Sequence, residues 1–249
     1  MISVSDSLPT SFSDVMSIPS GERTFFHQKG ANAAFSPKDF DISSLNCDLL
    51  HIGYVLLLDS FDAEDPKYGT VMARFLSGLQ KSGIKTSIDM VSDSTADYSK
   101  KMIPVLKYCN YVIINEIECC GIWKINAYDE NGVLDKNALF DAMRKTVSCG
   151  VKDRLIVHSK KVSFIMDPDL NGTEVPSLNI PKEEIKGSGG AGDAFCAGCL
   201  YAIYNGYSDR QLLEFASAAA ACNLFASNSV DGMKSKNEII NVAEKYGRL

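Results

Sequence analysis

The segment Gly187-Ser-Gly-Gly-Ala-Gly-Asp-Ala-Phe195 carries the clearest structural signal in the chain. Four glycines and one alanine lie among its first six residues, and an apolar stretch predicted as a helix over Asp193–Asn205 follows directly. Small residues let a main chain approach a ligand closely, and the first N–H groups of a helix attract anions. The segment therefore predicts an anion-binding turn at the start of a helix.

Asp193 stands at the start of this predicted helix, beside the main-chain donors of Gly190, Ala191 and Gly192. A carboxylate at that place can accept a proton from an incoming hydroxyl, while the N–H groups hold the charge that develops on a transferring phosphoryl group. An aspartate that only caps the helix is the alternative interpretation. The glycine run favours the first interpretation, in which Asp193 is a general base.

The same segment also matches the Gly-x-Gly-x-x-Gly pattern of dinucleotide-binding folds, through Gly187, Gly189 and Gly192. That pattern should follow the first buried strand of a βαβ unit, whereas Pro181-Lys-Glu-Glu-Ile-Lys186 precedes it here. The acidic residue near the expected offset, Asp209, is predicted between two helices instead of at a strand end. An NAD-binding oxidoreductase is therefore disfavoured. The sequence also lacks a P-loop Gly-Lys-Ser/Thr and the His-Arg-Asp and Asp-Phe-Gly motifs of protein kinases.

Outward from this segment, apolar runs alternate with amphipathic stretches. The predicted strands are Phe12–Met16, Arg23–His27, Leu49–Leu58, Thr86–Val91, Tyr111–Asn115, Arg154–His158 and Val162–Met166, the first two joined by a turn at Pro19-Ser-Gly-Glu22. The predicted helices are Tyr68–Ser82, Asp97–Leu106, Lys136–Cys149, Asp193–Asn205 and Asp209–Ser227. The continuous apolar run Leu49–Leu58 is typical of a strand buried on both faces. This alternation predicts an α/β fold with a largely parallel sheet covered on both faces.

The composition argues against several classes of protein. The chain of 249 residues is 45% hydrophobic, and its 25 basic and 31 acidic side chains give a net charge of −6. Ample apolar material argues against disorder, and net acidity argues against a nucleic-acid partner. The longest apolar runs fall short of the roughly 20 residues that span a bilayer. Because the N-terminal residues lack the features of a signal peptide, we expect a cytoplasmic protein with no membrane partner.

The eight cysteines predict core packing instead of a metal or redox site. The pair Cys196-x-x-Cys199 lies inside a predicted apolar helix, where small buried hydrophobes are expected. A zinc site would need a second ligand pair at ordered spacing, and the three histidines are scattered.

Gly190-Ala-Gly-Asp-Ala-Phe195, followed by Cys-Ala-Gly198, resembles the C-terminal signature of the ribokinase-like (PfkB) carbohydrate kinases. Further segments resemble that family's pattern: Gly30-Ala-Asn-Ala-Ala34, Asn115-Glu-Ile-Glu118, Phe215–Phe225 and Val230-Asp-Gly-Met233. The resemblance implies a three-layer α/β/α fold with a mostly parallel central sheet and remnants of a β lid. It implies a single domain over residues 1–249, in which 1–30 is the lid remnant and 31–249 is the α/β core with a C-terminal ATP site.

The function that the resemblance implies is ATP-dependent phosphorylation of a hydroxyl on a sugar or nucleoside, with Mg²⁺. Asp193 would be the catalytic base, and Gly190, Ala191 and Gly192 would form the anion hole. The nucleotide side would comprise Asn115, Glu118, Ser159, Lys160, Ala219, Asn223 and Gly232, with Glu118 also supporting Mg²⁺ through water. The substrate side would comprise Arg23, Phe25 and Asn32. The alternative for Asn115 and Glu118 is a strand-end turn with a solvated carboxylate. Lys160 could instead be an exposed lysine without a ligand, and Ala219 and Asn223 could instead be residues of the hydrophobic core.

Three departures from the family pattern qualify this resemblance. Gly187 stands where the family often has an aspartate that helps to bind a monovalent cation, so K⁺ activation is not implied. The loop at Ser159–Val162 lacks the usual glycines. The pattern also predicts that the chain lacks the N-terminal part of the family domain and much of its sugar site. Such a chain would be less stable, or would recruit a swapped strand or a partner, such as a second copy in a homodimer. A non-catalytic nucleotide-binding or assembly module is therefore the alternative function.

Overall fold

The computed structural model describes residues 4–18, 23–39, 41–93 and 96–249. The chain divides into two compact units, Met1–Cys109 and Asn110–Leu249. The predicted turn at Pro19–Glu22 lies outside the described residues. Within the described ranges, every helix is too short or too polar to cross a membrane.

The first unit combines an antiparallel strand pair, β1–β2, with a parallel pair, β3–β6. Its strands are β1 (Phe12–Ser17), β2 (Arg23–Gln28), β3 (Leu49–Val55), β4 (Glu64–Asp65), β5 (Gly69–Thr70) and β6 (Lys85–Met90). Its helices are α1 (Ala31–Ala34), α2 (Asp59–Asp62), α3 (Val71–Lys81) and α4 (Tyr98–Leu106), with 3-10 turns at Pro37–Asp39 and Ile42–Ser44. Strands β1 and β2 confirm the two short strands predicted near the N-terminus.

Strand β3 corrects the prediction of a strand buried on both faces over Leu49–Leu58. It ends at Val55, because Leu56 adopts a positive φ of 83° and turns the chain. Gly53 is exposed and His51 is half-buried, and among the described residues β3 pairs with β6 alone. The apolar run therefore forms a partly covered strand followed by a turn.

Helix α3 confirms the amphipathic helix predicted over residues 68–82 and begins three residues later. Thr70 caps its first turn, since the Thr70 hydroxyl accepts the Ala73 N–H at 3.1 Å. Phe75 and Leu79 are buried, as the helical spacing predicts.

The second unit contains four adjacent strands and five helices. Its strands are β7 (Tyr111–Asn115), β8 (Arg154–His158), β9 (Val162–Met166) and β10 (Gly172–Pro176). Its helices are α5 (Glu116–Gly121), α6 (Lys136–Ser148), α7 (Ala191–Tyr204), α8 (Asp209–Leu224) and α9 (Lys236–Lys245), with a 3-10 turn at Lys182–Glu184. Strand β8 runs parallel to β7, whereas β9 and β10 continue the sheet in antiparallel pairs. The predicted bounds of β7, β8 and β9 are confirmed, whereas β10, α5 and α9 were not predicted.

Helices cover both faces of this sheet. Along a strand, successive side chains point to opposite faces. The ring of Phe164 packs edge-on against Phe140 of α6, with centroids 5.3 Å apart. The next residue, Ile165, belongs instead to a buried cluster with Phe195 of α7 and Leu213 of α8. Helix, sheet and helix therefore form three layers in the second unit, which confirms the expected covering of both faces.

The cysteines confirm the core-packing prediction. Six of the eight are buried, including Cys196 and Cys199 in the cluster under α7 and α8. The described part of the chain contains no group of three or more His, Cys, Asp or Glu side chains that could hold a metal ion.

Candidate active site

The glycine-rich segment forms a tight turn into α7. Gly190 is the N-cap with φ 73° and ψ 4°, a left-handed conformation that glycine adopts without strain. The helix begins at Ala191, two residues earlier than predicted, so Asp193 is its third residue. The side chain of Asp193 is exposed at the first turn of a helix of 14 residues. A carboxylate thus lies at the end of the helix where main-chain N–H groups are available.

The turn tolerates only glycine where it passes residues 226–229. A Cβ atom added to Gly190 would lie 2.6 Å from the carbonyl oxygen of Ser229, and one added to Gly187 would lie 2.9 Å from that of Ala226. Within the described ranges, the N–H groups of Gly190 and Gly192 have no protein acceptor. The segment therefore combines close main-chain packing on one side with unused donors, as an anion site requires.

The C-terminal end of α8 holds the turn through two hydrogen bonds. The Asn223 side-chain amide donates to the carbonyl oxygen of Gly189 at 2.5 Å, and the Lys186 N–H donates to that of Leu224 at 2.8 Å. Both Asn223 and Ala219 are 0% exposed. Burial is what the core alternative expects of these two residues, and their contact with adenine stays a prediction.

His158 joins the strand ends to the glycine turn. It is the last residue of β8, pairs in register with Asn115 of β7, and packs its ring on Phe195 with centroids 4.8 Å apart. A Cβ atom on Gly192 would lie 3.5 Å from its Cε1 atom. Burial lowers the pKa of His158 to about 4, so the imidazole is neutral at pH 7. Sequence reasoning missed this residue, although its place at the end of a buried strand was a usable signal.

Asn115 and Glu118 form a capping box at the start of α5. The Asn115 Oδ1 atom accepts the Glu118 N–H at 2.8 Å, and the Glu118 carboxylate accepts the Asn115 N–H at 2.9 Å. Glu118 is only 4% exposed, so its carboxylate is not the solvated one of the alternative interpretation. Between them, Glu116 is also buried and accepts the Tyr128 hydroxyl at 2.5 Å, and burial raises the pKa of Glu116.

Ser159, Lys160 and Gly232 occupy different environments. The Ser159 hydroxyl donates to the carbonyl oxygen of Val162 at 2.8 Å and closes the turn between β8 and β9, on which Lys160 is exposed. Gly232 is buried against the end of α8, where an added Cβ would lie 2.4 Å from the Cα atom of Asn223. The nucleotide contacts of these three residues stay predictions.

The three residues predicted on the substrate side belong to the first unit. Phe25 faces Val15 across the β1–β2 pair and is 58% exposed. Asn32 is exposed and donates to the Ser11 hydroxyl at 3.0 Å. Arg23 begins β2, but its side chain lies outside the described part of the chain. Their contact with a substrate stays a prediction.

The first unit also contains a cavity of about 280 Å³. Its charged lining residues are Lys29, Asp59, Asp62, Asp93, Asp97 and Lys101. Asp62 is 7% exposed and accepts the Leu56 N–H at 2.9 Å, which holds the turn after β3. Burial raises the pKa of Asp62 to about 6.

Comparison with known families decides the classification. The model of the pfkB family carbohydrate kinases matches residues 2–236. The chain belongs to this family. The match covers the glycine turn, the Asn115–Glu118 motif and the β1–β2 pair, so the resemblance stated from the sequence is confirmed.

Individual relatives of the pfkB-family chain are distant. The chain is 23% identical over 182 residues to the 2-dehydro-3-deoxygluconokinase of Escherichia coli K12, an alignment that covers 72% of this chain and 57% of that relative. Among solved structures, the ribokinase of Thermotoga maritima is 18% identical, with a TM-score of 0.72 over 96% of this chain and 71% of that one. The Arabidopsis thaliana ribokinase complexed with ribose and ATP is 20% identical, with a TM-score of 0.72 over 96% and 70%. These similarities confirm the ribokinase-like α/β/α fold, and the chain spans less than two thirds of the length of the curated relatives that it matches.

Proposed function

We propose that the chain carries the phosphoryl-transfer site of an ATP-dependent carbohydrate kinase. The observation that carries the proposal is the turn at Gly190–Asp193, where an exposed carboxylate and unused main-chain donors meet at the start of α7. Membership of the pfkB family supports the same reaction class. Phosphoryl transfer depends mainly on positioning and on stabilising charge, which are the two tasks that this turn suits.

Asp193 acts in this proposal as the general base. Its carboxylate accepts the proton of the acceptor hydroxyl as that oxygen begins to bond to phosphorus. Asp193 lies in the first turn of α7, where the main-chain dipoles of a helix attract negative charge. The exposure of Asp193 supports this role, because the atom that accepts the proton must be reachable by the acceptor.

The N–H groups of Gly190, Ala191 and Gly192 hold the charge on the transferring group. Three features support this assignment: the left-handed Gly190, the absence of a side chain on Gly192 beside His158, and the absence of protein acceptors for the Gly190 and Gly192 N–H groups in the described ranges. Neutral His158 packs there without adding a charge. When bound, ATP supplies the phosphoryl group, and the turn orients it.

Asn115 and Glu118 are the proposed supports of an Mg²⁺–phosphate network. Carboxylate and amide oxygens are ligands that suit Mg²⁺, which usually keeps several waters. The capping box fixes both side chains at the end of β7, next to His158 in the sheet register. Ser159, Lys160, Ala219 and Gly232 remain candidates for nucleotide contacts, and Arg23, Phe25 and Asn32 remain candidates for contacts with a sugar or nucleoside.

A panel assay tests the proposal. ADP release is measured with Mg·ATP and single acceptors, and each product is checked by mass spectrometry for one added phosphoryl group. Ribose and 2-dehydro-3-deoxygluconate come first, because the relatives' names point to them, followed by other sugars and nucleosides. Transfer to an alcohol supports the kinase, whereas thermal stabilisation by ATP without turnover on any acceptor favours the binding module. The absence of any nucleotide-dependent shift would overturn both.

A further inference from the structure

The fully buried side chain of Asn223 has an unusual balance of hydrogen bonds. Its Nδ2 atom donates to the Gly189 carbonyl oxygen at 2.5 Å, whereas its Oδ1 atom is buried with no partner in the described residues. Burying a polar oxygen without a hydrogen bond costs free energy. The amide orientation follows from this contact, since the reverse orientation would place two acceptors against each other.

The contact fixes one peptide plane of the glycine turn. In a trans peptide the carbonyl and the following N–H point in opposite directions. Asn223 draws the Gly189 carbonyl toward the buried end of α8, so the N–H of Gly190 points away from that interior. Glycine has the largest main-chain freedom of any residue, and Gly189 and Gly190 are adjacent, so this plane would rotate easily without a tether.

We infer that Asn223 is a positioning residue that aims the Gly190 N–H into the anion hole, instead of a residue that contacts adenine. The inference rests on the proposed function for its catalytic consequence, but its structural part does not. Gly232 supports the arrangement, because its missing side chain lets the loop at residues 230–233 pack on the Asn223 main chain. The backbone bond from Lys186 to Leu224 fixes the start of the turn and leaves the Gly189–Gly190 peptide to Asn223.

Asn223→Ala separates this role from general stability. The variant removes the tether but also removes the buried oxygen that has no partner, so we expect a small change in melting temperature. Asn205→Ala is the matched control, because the Asn205 amide donates to the Tyr201 carbonyl at 2.8 Å at the other end of α7. The backbone amide order parameter of Gly190, measured by NMR relaxation without nucleotide, should fall from about 0.85 to below about 0.6 in Asn223→Ala and stay unchanged in Asn205→Ala.

Steady-state kinetics provide the second readout. Misplacing a catalytic donor by about 1 Å can cost on the order of 100-fold in rate, so Asn223→Ala should lower kcat by about that factor. The KM for ATP and the preference for ATP over GTP should stay within about twofold of the wild type. A raised KM with unchanged kcat and a weakened preference for ATP would instead indicate adenine contact and overturn the inference.

The two readouts keep the inference separate from the proposed function. If the wild-type chain transfers no phosphoryl group, the proposed function fails, while the order-parameter measurement still decides whether Asn223 orders the turn. An unchanged order parameter at Gly190 in Asn223→Ala would overturn the inference, whatever the activity. If that variant does not fold, Asn223→Ser replaces it, since its shorter side chain cannot span the same distance, and the same two results apply.

Discussion

The glycine turn in the second unit and the β1–β2 pair in the first present opposite kinds of candidate site. In the turn, the main chain is fixed by Asn223 and by the packing of residues 226–229, and its donors form the candidate site. In the β1–β2 pair, the candidate site consists of exposed side chains such as Phe25. A site made of main-chain atoms restricts the sequence to glycine, whereas a site made of exposed side chains restricts it little. This difference explains why the glycine turn stands out in the sequence, whereas the proposed substrate contacts do not.

Alanine at two left-handed glycines should give the largest difference between the units. Gly190 in the second unit and Gly83 in the first both have positive φ, but an added Cβ would meet nothing within 4 Å at Gly83. Gly83→Ala should cost about 1–2 kcal/mol from backbone strain alone. Gly190→Ala should cost a further ~1–3 kcal/mol, because its Cβ collides with Ser229, and should abolish transfer.

Urea unfolding of both variants measures this difference. Equal losses of unfolding free energy would show that residues 226–229 can move to accommodate a side chain at residue 190. That result would contradict the predicted difference between the two units.

The pH dependence of the free energy of unfolding should have opposite signs for Asp62 in the first unit and His158 in the second. Burial raises the pKa of Asp62 to about 6. Its contribution to the free energy of unfolding is therefore full below pH 3.8 and is lost as pH rises through 6. Desolvation lowers the pKa of His158 from 6.5 to about 4. Its contribution to the free energy of unfolding is therefore full above pH 6.5 and is lost as pH falls through 4. Each pKa unit corresponds to about 1.4 kcal/mol, so each effect should reach ~2–3 kcal/mol.

Asp62→Asn and His158→Gln isolate the two effects when unfolding free energy is measured between pH 4 and 7. Relative to the wild type, Asp62→Asn should gain stability as pH rises, and His158→Gln should gain it as pH falls. Parallel pH profiles for the wild type and both variants would contradict the burial of these groups.

Helix caps should show the smallest difference between the units. Thr70 caps α3 in the first unit and Ser208 caps α8 in the second, and each hydroxyl oxygen accepts a hydrogen bond from a main-chain N–H. Replacing either by alanine should cost about 1 kcal/mol without changing the chemistry of the glycine turn. Thermal unfolding measures the loss of stability. A change in kcat of the Ser208→Ala variant would indicate that fraying at the start of α8 displaces Asn223 near its other end.

The outcome for individual elements shows what the sequence can and cannot reveal. The strands β7, β8 and β9 were predicted with their exact bounds, because short runs of buried β-branched residues are distinctive. Strand β10 was missed because Gly172-Thr-Glu-Val-Pro176 is polar and ends in proline, which suits only the margin of a sheet. The run Leu49–Leu58 was predicted as one buried strand, since composition alone does not reveal the left-handed Leu56.

The candidate site follows the same division. The turn at Gly190–Asp193 could be predicted from the sequence because its left-handed conformation requires glycine, and the catalytic role of Asp193 stays a prediction. His158 contacts Phe195, 37 positions along the chain, and Asn223 contacts Gly189, 34 positions away. No local sequence pattern encodes contacts between residues so far apart. The relation of Arg23, Phe25 and Asn32 to a substrate depends on exposed side chains, which neither periodicity nor burial constrains.

Single-turnover phosphoryl transfer by the wild type and by Asp193→Asn tests the central claim most directly. An accepted sugar and γ-labelled Mg·ATP are mixed with excess enzyme, and labelled sugar phosphate is followed over time. The amide keeps the size of the side chain but loses the base, so ATP should bind with similar affinity while the transfer rate falls on the order of 100- to 10,000-fold. Transfer by Asp193→Asn at the wild-type rate, with equal ATP affinity, would contradict the assignment of the glycine turn and its carboxylate as the reacting centre.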